Sequence, residues 1–308
     1  MIKHRTLSIL LTIVAGGLAT GCRPHAVSSS HPAARVIAGV GLIQPENILY
    51  DSVADVYLVS NMGKGDPAAR DDNGFISRIA PDGTVLTLQW IAGGRNGAVL
   101  DAPKGLAIHG DTLAVADVGG VRLFDRRTGA PIGLISLPGV VMNDVVFGPD
   151  GSFWVTDTGP DRDHSPVDTT KDLDAVWYVD PHHRVEAAAR ALSLSRPDGI
   201  VLDRDGVLVS TFGANRIERI GLGARANSTV QTTLPGGRLD GLRRMPDGSL
   251  LVTSWDARAV WRLDDQLHPK PLLTDVQSPA GIAVDTRRHR LAVTSMQTNS
   301  LYLVPLDL

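Results

Sequence analysis

The sequence is poor in cysteine, in aromatic residues and in excess charge of either sign. Its 308 residues include one cysteine, and aromatic residues make up 5% of the chain. A single cysteine excludes an intramolecular disulfide and any cysteine-cluster metal site. The 30 Lys and Arg residues nearly balance 33 Asp and Glu residues, for a net charge of −3. The chain therefore lacks the basic excess typical of nucleic-acid-binding domains, and we expect no nucleic-acid partner.

The first apolar stretch, residues 6–18, is too short to span a bilayer as a stable helix. It follows Lys3 and Arg5 and is followed by small residues and then Cys22. This layout is typical of a secretory signal peptide, and its end resembles a bacterial lipoprotein lipobox, which implies that Cys22 is acylated. The alternative is an ordinary cleaved signal that ends near a cysteine.

The lipoprotein interpretation divides the chain into three parts. Residues 1–21 are a signal peptide, residues 22–34 a flexible tether rich in Pro, Ser, His and Ala, and residues 35–308 one folded domain. We expect export to the bacterial cell envelope, with a lipid anchor holding the protein to a membrane.

A short apolar motif recurs six times in the remaining sequence. Its copies begin at Pro45, Pro103, Met142, Pro197, Leu239 and Pro279. Most copies are followed by a turn that contains Asp and Gly and then by a second apolar run, which predicts a β-hairpin. Hairpins that repeat every 40–45 residues or so are typical of propeller blades. We predict an all-β, six-bladed β-propeller without an internal domain boundary.

Both ends of this domain contribute to the predicted closure of the ring. The last blade ends with LYLVPLDL, which supplies its third strand and leaves the outer strand missing. Residues 35–42 precede the first blade, where other blades place an outer strand. We expect this N-terminal segment to pair with the last blade, because the pairing removes two open sheet edges.

Inner strands of a propeller begin at one rim of the central channel, so the residues that open them share that rim. These residues are Glu46, Lys104, Asn143, Asp198, Asp240 and Ala280. Four of them offer oxygen ligands, which suit calcium, magnesium or manganese. The alternative is that Asp198 and Asp240 only cap backbone N–H groups in turns, since Asp-Gly pairs are common turn formers.

The second strand of each hairpin returns to the same rim. Asn61, Asp117 and Asp157 end three of these strands, and with Lys104 they are predicted to bind substrate. The two longest connections, residues 61–74 and 158–175, emerge there as candidate lids, and the second contains His164. The sequence contains no G-x-S-x-G motif of a serine hydrolase.

The blade sequences and strand openings resemble the gluconolactonase/regucalcin (senescence marker protein) family of six-bladed propellers, related to paraoxonases and strictosidine-synthase-like proteins. The resemblance implies that Glu46, Asn143, Asp198 and Asp240 hold a divalent cation, calcium first, with magnesium, manganese or zinc as alternatives. Asp198 stands where the family usually has Asn.

The same resemblance implies hydrolysis of a lactone or related ester, with a small molecule as substrate. Asp240 is the first candidate for the catalytic base and Asp198 the second, since a carboxylate beside the metal can deprotonate water. The alternative is a non-catalytic, NHL-like propeller that binds a protein, a glycan or a small ligand on its channel face.

Overall fold

The computed structural model describes residues 34–159, 174–221 and 228–306, in which the regular structure is almost entirely β-strand. One turn of 3₁₀ helix, Leu192–Leu194, also occurs there. The strands are, in chain order, β1 (Arg35–Ile37), β2 (Pro45–Asp51), β3 (Val56–Asn61), β4 (Phe75–Ile79), β5 (Val85–Ala92), β6 (Leu106–His109), β7 (Thr112–Asp125), β8 (Pro131–Phe147), β9 (Phe153–Asp157), β10 (Ala175–Val179), β11 (Val185–Arg190), β12 (Pro197–Asp203), β13 (Gly206–Thr211), β14 (Arg216–Gly221), β15 (Ser228–Thr233), β16 (Leu239–Arg244), β17 (Leu250–Ser254), β18 (Ala259–Leu263), β19 (Pro269–Leu273), β20 (Pro279–Asp285), β21 (Arg290–Ser295) and β22 (Ser300–Pro305).

These strands form five sheets, which are the blades of a propeller. Sheet 1 contains β2–β5, sheet 3 contains β12–β15, and sheet 4 contains β16–β19. Sheet 5 contains β20–β22 together with β1, and sheet 2 contains the six strands β6–β11. The predicted all-β propeller architecture is therefore present.

The prediction of six blades is wrong, because the second and third expected blades form one continuous sheet. β7 runs for 14 residues and β8 for 17. Gly119, with φ +75°, bends β7 without ending it. Pairing continues across this bend, from Val118 opposite Val141 to Gly120 opposite Ser136. β8 then pairs with β9, so backbone hydrogen bonding passes straight from one expected blade to the next.

The predicted closure of the ring by the N-terminal strand is confirmed. β1 pairs antiparallel with β22, with Arg35 opposite Leu303 and Ile37 opposite Leu301. Sheet 5 therefore combines strands from the two ends of the folded region. The pairing covers the backbone of β22, which would otherwise present an open edge.

The innermost strands surround the central axis and contact one another in the order β2, β6, β8, β12, β16, β20 and back to β2. Gly199 and Gly241 make two of these approaches possible. A Cβ atom on Gly199 would lie 2.4 Å from the backbone nitrogen of Leu242, and one on Gly241 would lie 2.5 Å from the carbonyl oxygen of Ala280. The Asp-Gly pairs thus have a packing role, since only glycine permits this close approach.

Apolar side chains fill the space between neighbouring sheets. Ile37, Ile48 and Leu303 belong to a cluster that joins sheet 5 to sheet 1. The two halves of sheet 2 enclose a cluster of their own, which includes Val121 and Met142. Burial of these faces fixes the register of the strands, because a slip by one residue would turn each apolar side chain outward.

The predicted signal peptide, Cys22 and all but the last residue of the predicted tether lie outside the described residues, so these assignments stay predictions. Within the described ranges, no helix has the length and apolar character needed to cross a lipid bilayer.

Candidate metal centre

Irregular pairing at the start of the inner strands turns pairs of residues toward the channel. Pairing of β2 with β3 jumps from Pro45 to Ile48, and that of β12 with β13 jumps from Pro197 to Ile200. The same interruption occurs in β8 after Met142 and in β16 after Leu239. The first residue released by each interruption is one of the four predicted metal ligands: Glu46, Asn143, Asp198 and Asp240.

The structure brings these four side chains together in one cavity of about 140 Å³. A carboxylate oxygen from each of Glu46, Asp198 and Asp240 lies within 4.8 Å of the other two. All four side chains are buried. Three acids that are far apart in the sequence therefore form one compact oxygen cluster at the mouth of the channel.

Burial and mutual repulsion disfavour the ionised forms of these acids. Burial raises the pKa of Glu46 well above its usual value, and the Asp240 carboxylate raises it further. Burial likewise raises the pKa of Asp198, with Asp240 and Glu46 acting in the same direction. Burial raises the pKa of Asp240 to about 7, against the hydrogen bond that the Trp255 indole nitrogen donates to its Oδ2 over 3.0 Å.

Two buried oxygens in this cavity, Glu46 Oε2 and Asn143 Oδ1, have no hydrogen-bond partner within the described part of the chain. The Asn143 amide nitrogen donates to Thr158 Oγ1 and to Asp198 Oδ2, each over 2.9 Å, which leaves its oxygen directed elsewhere. An unsatisfied buried acceptor costs roughly 1–3 kcal/mol. A cation would satisfy both oxygens and remove the repulsion among the acids, so the residues present fit a hard divalent ion.

Lys104 places a buried ammonium group at the same cavity. Its Nζ donates to the carbonyl oxygens of Ala102 over 2.9 Å and of Pro67 over 3.1 Å. Burial lowers the pKa of Lys104, while the Glu46 and Asp117 carboxylates raise it. An ammonium group has three N–H donors, so one remains for a group in the cavity.

The three strand-end residues predicted to bind substrate have other tasks. Asn61 accepts the Ile43 N–H over 3.0 Å, and Asp157 accepts the Val141 N–H over the same distance. Asp117 accepts the Ala102 N–H over 2.7 Å. These oxygens accept hydrogen bonds from backbone N–H groups, and Asp117 also pairs with the Arg122 guanidinium. None of the three is among the described residues that line the cavity. They hold the loops behind the wall, and Asp117 thereby supports the carbonyl that binds Lys104.

The residues that do line the wall come one position later in the repeat. They are Met62, Thr158, Phe212, Trp255 and Met296, each directly after the end of a second strand. Sequence reasoning missed them, although the repeat itself carried the signal. Side chains of successive residues in a strand point to opposite faces. The residue that ends the strand is therefore directed away from the channel, and the next residue faces it.

Of the two candidate lids, residues 61–74 reach the cavity through Asp66, Pro67 and Ala68. The other, residues 158–175, falls mostly outside the described residues, as does His164. Its first two residues, Thr158 and Gly159, line the cavity.

A second polar layer lies directly below the acids. Asp144 is buried, and its Oδ1 accepts a hydrogen bond from the Asn47 side chain over 3.2 Å. The Arg243 guanidinium donates to the Asn47 side-chain oxygen over 3.3 Å and to the Ile282 carbonyl over 2.8 Å. Burial raises the pKa of Asp144, and Arg243 opposes this effect. The Asn47 side chain thus links Asp144 to Arg243, whose positive charge opposes that of the acid.

Three solved structures show the same fold. A gluconolactonase from Xanthomonas campestris aligns with a TM-score of 0.66 at 20% identity, over 89% of this chain and 90% of that one. The calcium-binding protein regucalcin from Agrobacterium tumefaciens aligns with a TM-score of 0.62 at 20% identity, over 86% and 90%. A virginiamycin B lyase from Staphylococcus aureus aligns with a TM-score of 0.61 at 15% identity, over 89% and 99%. Identities this low establish the shared fold alone.

A comparison with curated proteins finds no match. The family model of the SMP-30/gluconolactonase/LRE-like region, by contrast, matches residues 71–297, which include Lys104, Asn143, Asp198 and Asp240. Because the matched region covers more than half of the chain and contains most of the cavity described above, this chain belongs to the SMP-30/gluconolactonase/LRE-like family.

Proposed function

We propose that this protein is an exported, metal-dependent hydrolase that opens a lactone or a related ester. The observation that carries this proposal is the buried oxygen cluster of Glu46, Asp198 and Asp240, with oxygens within 4.8 Å of one another in a cavity large enough for a small molecule. Membership of a family whose name includes gluconolactonase supports the choice of reaction.

Glu46, Asn143, Asp198 and Asp240 would hold the metal ion. Calcium is favoured, because all four offer hard oxygen ligands and because the similar regucalcin structure is described as that of a calcium-binding protein. A bound divalent ion would supply Lewis-acid chemistry toward the substrate carbonyl oxygen. The unpartnered oxygens Glu46 Oε2 and Asn143 Oδ1 support this ligand set.

Asp240 is the proposed general base. The Trp255 indole fixes its Oδ2, so the carboxylate is held in one orientation at the cavity wall. In its ionised form Asp240 takes a proton from the attacking water as the water oxygen bonds to the carbonyl carbon. When the ring C–O bond breaks, Asp240 returns that proton to the alkoxide, and the product is a hydroxy acid. Asp198 is the second candidate for this role.

Lys104 is proposed to orient the substrate. Two of its N–H groups are held by Ala102 and Pro67, so the ammonium cannot swing away from the cavity. The third N–H can donate to a substrate oxygen. A buried cation beside the carbonyl stabilises negative charge that develops on it during attack.

Calcium-dependent thermal stability tests the metal site. The wild type should be stabilised by calcium, by about 2.7 kcal/mol when the ion is at 100 times its Kd. Glu46→Gln should abolish most of this stabilisation, because it removes a ligand charge. Glu186→Gln, which changes an exposed acid on β11, is the matched control and should respond as the wild type does.

Hydrolysis of sugar lactones, homoserine lactones and aryl esters should then require calcium and should be lost in Asp240→Asn. Absence of any effect of calcium, magnesium, manganese or zinc on the wild type would reject the metal-dependent hydrolase. Calcium binding without turnover of any ester would favour the non-catalytic propeller.

Export and anchoring rest on the first 22 residues. Acylation of Cys22 would give membrane attachment that survives high salt, and Cys22→Ser should release the protein to the soluble fraction. Full-length wild type and variant, expressed in a bacterial host, can be compared by fractionation. Equal membrane association of both would reject the lipid anchor.

A further inference from the structure

The wall of the cavity beside Asp198 carries a basic residue that the proposed hydrolysis does not use. Arg196 lines the cavity two residues before Asp198, and its guanidinium stacks over the Phe212 ring at 5.0 Å from the centroid. Its Nε is shielded from solvent and has no hydrogen-bond partner among the residues that the structure describes. No carboxylate among the described residues forms an ion pair with it.

The backbone holds Arg196 in an uncommon conformation. Ser195 and Arg196 both have positive φ, 53° and 59°, and consecutive left-handed residues other than glycine cost energy. The turn is fixed to the end of β13, because the N–H groups of Phe212 and Gly213 donate to the carbonyls of Arg196 and Ser195, each over 2.8 Å. The residue before an inner strand is also left-handed at Gln44, Arg238 and Ser278, so this turn belongs to the repeat, and it places the Arg196 side chain on the cavity wall.

An aromatic surface continues from Arg196 across the cavity. Phe212 and Trp255 meet edge to face, with ring centroids 5.2 Å apart, and both line the cavity. The indole of Trp255 reaches Asp240. A substrate lying between the proposed base and Arg196 would therefore contact apolar ring edges along its length, with a cationic group at the far end.

The charges of the cavity select the kind of group that Arg196 receives. The three buried acids carry three negative charges, whereas Lys104, Arg196 and a divalent ion carry four positive ones, so one positive charge remains. Asp66 at the rim is left out of this sum because it is exposed to solvent, which screens its charge. Asp144 and Arg243 balance each other below. One monoanionic group on the substrate would neutralise the loaded site, whereas a dianionic phosphate would leave it negative.

We propose that Arg196 is the anchor for a carboxylate on the substrate, so that the preferred substrates are lactones that carry a carboxylate group. The planar guanidinium can give two parallel N–H···O bonds to a carboxylate through its two terminal nitrogens. This inference rests on the proposed lactone hydrolysis for the identity of the reacting group, while anion binding by Arg196 is independent of it.

Calorimetric binding of two ligands that contain no lactone tests the anchor directly. In calcium, the wild type should bind tetrahydrofuran-2-carboxylate more tightly than tetrahydrofuran-2-carboxamide. Arg196→Gln should weaken binding of the carboxylate by about 10- to 100-fold and that of the carboxamide by less than threefold. Arg196→Lys should recover part of the loss, since it restores the charge without the paired donors.

Arg238→Gln is the matched control. Arg238 also stacks on Trp255, at 5.5 Å, but it is exposed, is paired with Asp256 and does not line the cavity. This variant should keep the wild-type preference. A wild type that binds the carboxylate no better than the carboxamide, or an Arg196→Gln variant that keeps the preference, would overturn the proposal.

Turnover separates this inference from the proposed function. Hydrolysis of 5-oxotetrahydrofuran-2-carboxylate should exceed that of its carboxamide in the wild type, and Arg196→Gln should remove the difference in kcat/KM. If the binding preference is present but neither lactone is opened, the anion anchor stands and the hydrolase proposal fails. If both lactones are opened equally, with no binding preference, the reverse holds.

Discussion

At the scale of single residues, the cavity combines groups whose usual ionisation states conflict with their surroundings. Asp240 receives an indole N–H on one oxygen and shares a buried space with Glu46 and Asp198. Lys104 supplies one compensating charge and is itself held by two carbonyls. Arg196 supplies a second, so the three acids outnumber the cationic side chains by one, and the site keeps a net negative charge until a metal ion enters.

Calcium binding should therefore depend on pH in a defined direction. Burial raises the pKa of Asp240 from its ordinary value of 3.8 to about 7, and those of Glu46 and Asp198 also rise. Without metal, these three acids hold their protons more tightly in the folded protein than in the unfolded chain, so their contribution to stability should fall as pH rises from about 4 toward 7.

Calcium must displace the same protons, so the increase in Tm that it causes should be larger at pH 8 than at pH 5.5. Thermal unfolding with EDTA and with calcium, at both pH values, measures this. The Glu46→Gln variant is the control, because its response should be small at either pH. An equal or larger calcium effect at pH 5.5 would contradict the assignment.

The sequence predicted which oxygen-bearing side chains meet in the cavity, but it did not predict every residue that lines the cavity wall. Glu46, Asn143, Asp198 and Asp240 were predictable because the hairpin repeat places them in equivalent positions. Arg196 was not, because the sequence analysis considered the residues that open the inner strands and not the turn residue that precedes each strand.

At the scale of the strand, two features decide which side chains reach the channel. The interruption of pairing near the start of inner strands such as β2 and β12 turns two residues inward. The alternation of side chains along the second strand of each hairpin then determines which further residues reach the rim. Asn61, Asp117 and Asp157 were predicted to face the cavity, yet the residue after a strand end, such as Phe212 or Trp255, lies there instead. The sequence analysis chose the polar residue that ends each strand because of its chemistry. The alternation of side chains along the strand instead places the next residue toward the cavity.

The close approach of inner strands predicts a large effect of one added methyl group. A Cβ on Gly199 would lie 2.4 Å from the backbone nitrogen of Leu242, and a backbone neighbour cannot move as a flexible side chain can. Gly199→Ala should lower the free energy of unfolding by about 1–3 kcal/mol and should weaken calcium binding by displacing Asp198.

Gly133→Ala is the matched control, since a Cβ on Gly133, also in a strand, would meet no atom within 4 Å. Urea unfolding of both variants measures the difference. Equal stability of the two would show that the inner strands can separate without loss.

At the scale of the whole molecule, the sequence predicted the propeller and its closing strand but not the number of blades. The six motif copies are real, yet the second and third belong to one sheet, because hydrogen bonding continues through Gly119 and along β8. Continuity of a ladder depends on how two strands bend together. The local strand propensity and the turn residues in the sequence therefore do not predict whether two neighbouring hairpins form one sheet or two.

Closure by β1 should make a major contribution to stability. Ile37 is buried in the cluster between sheets 5 and 1, so Ile37→Ala should lower the free energy of unfolding by about 2–5 kcal/mol. Val53→Ala, at a side chain that is 79% exposed, should change it by no more than about 0.5 kcal/mol. Denaturant titration of the full chain measures both. A loss of less than 1 kcal/mol for Ile37→Ala would mean that the ring holds without its N-terminal strand.

The pairing of Arg35–Ile37 with β22 also has a consequence for biosynthesis. β1 is synthesised near the start of translation, but it cannot pair until β22, some 260 residues later, has been translated. Until then its apolar side chain remains without its final neighbours. The ring therefore stays open at this seam until almost the whole folded region has been translated, and a chain truncated before β22 would leave it unsealed.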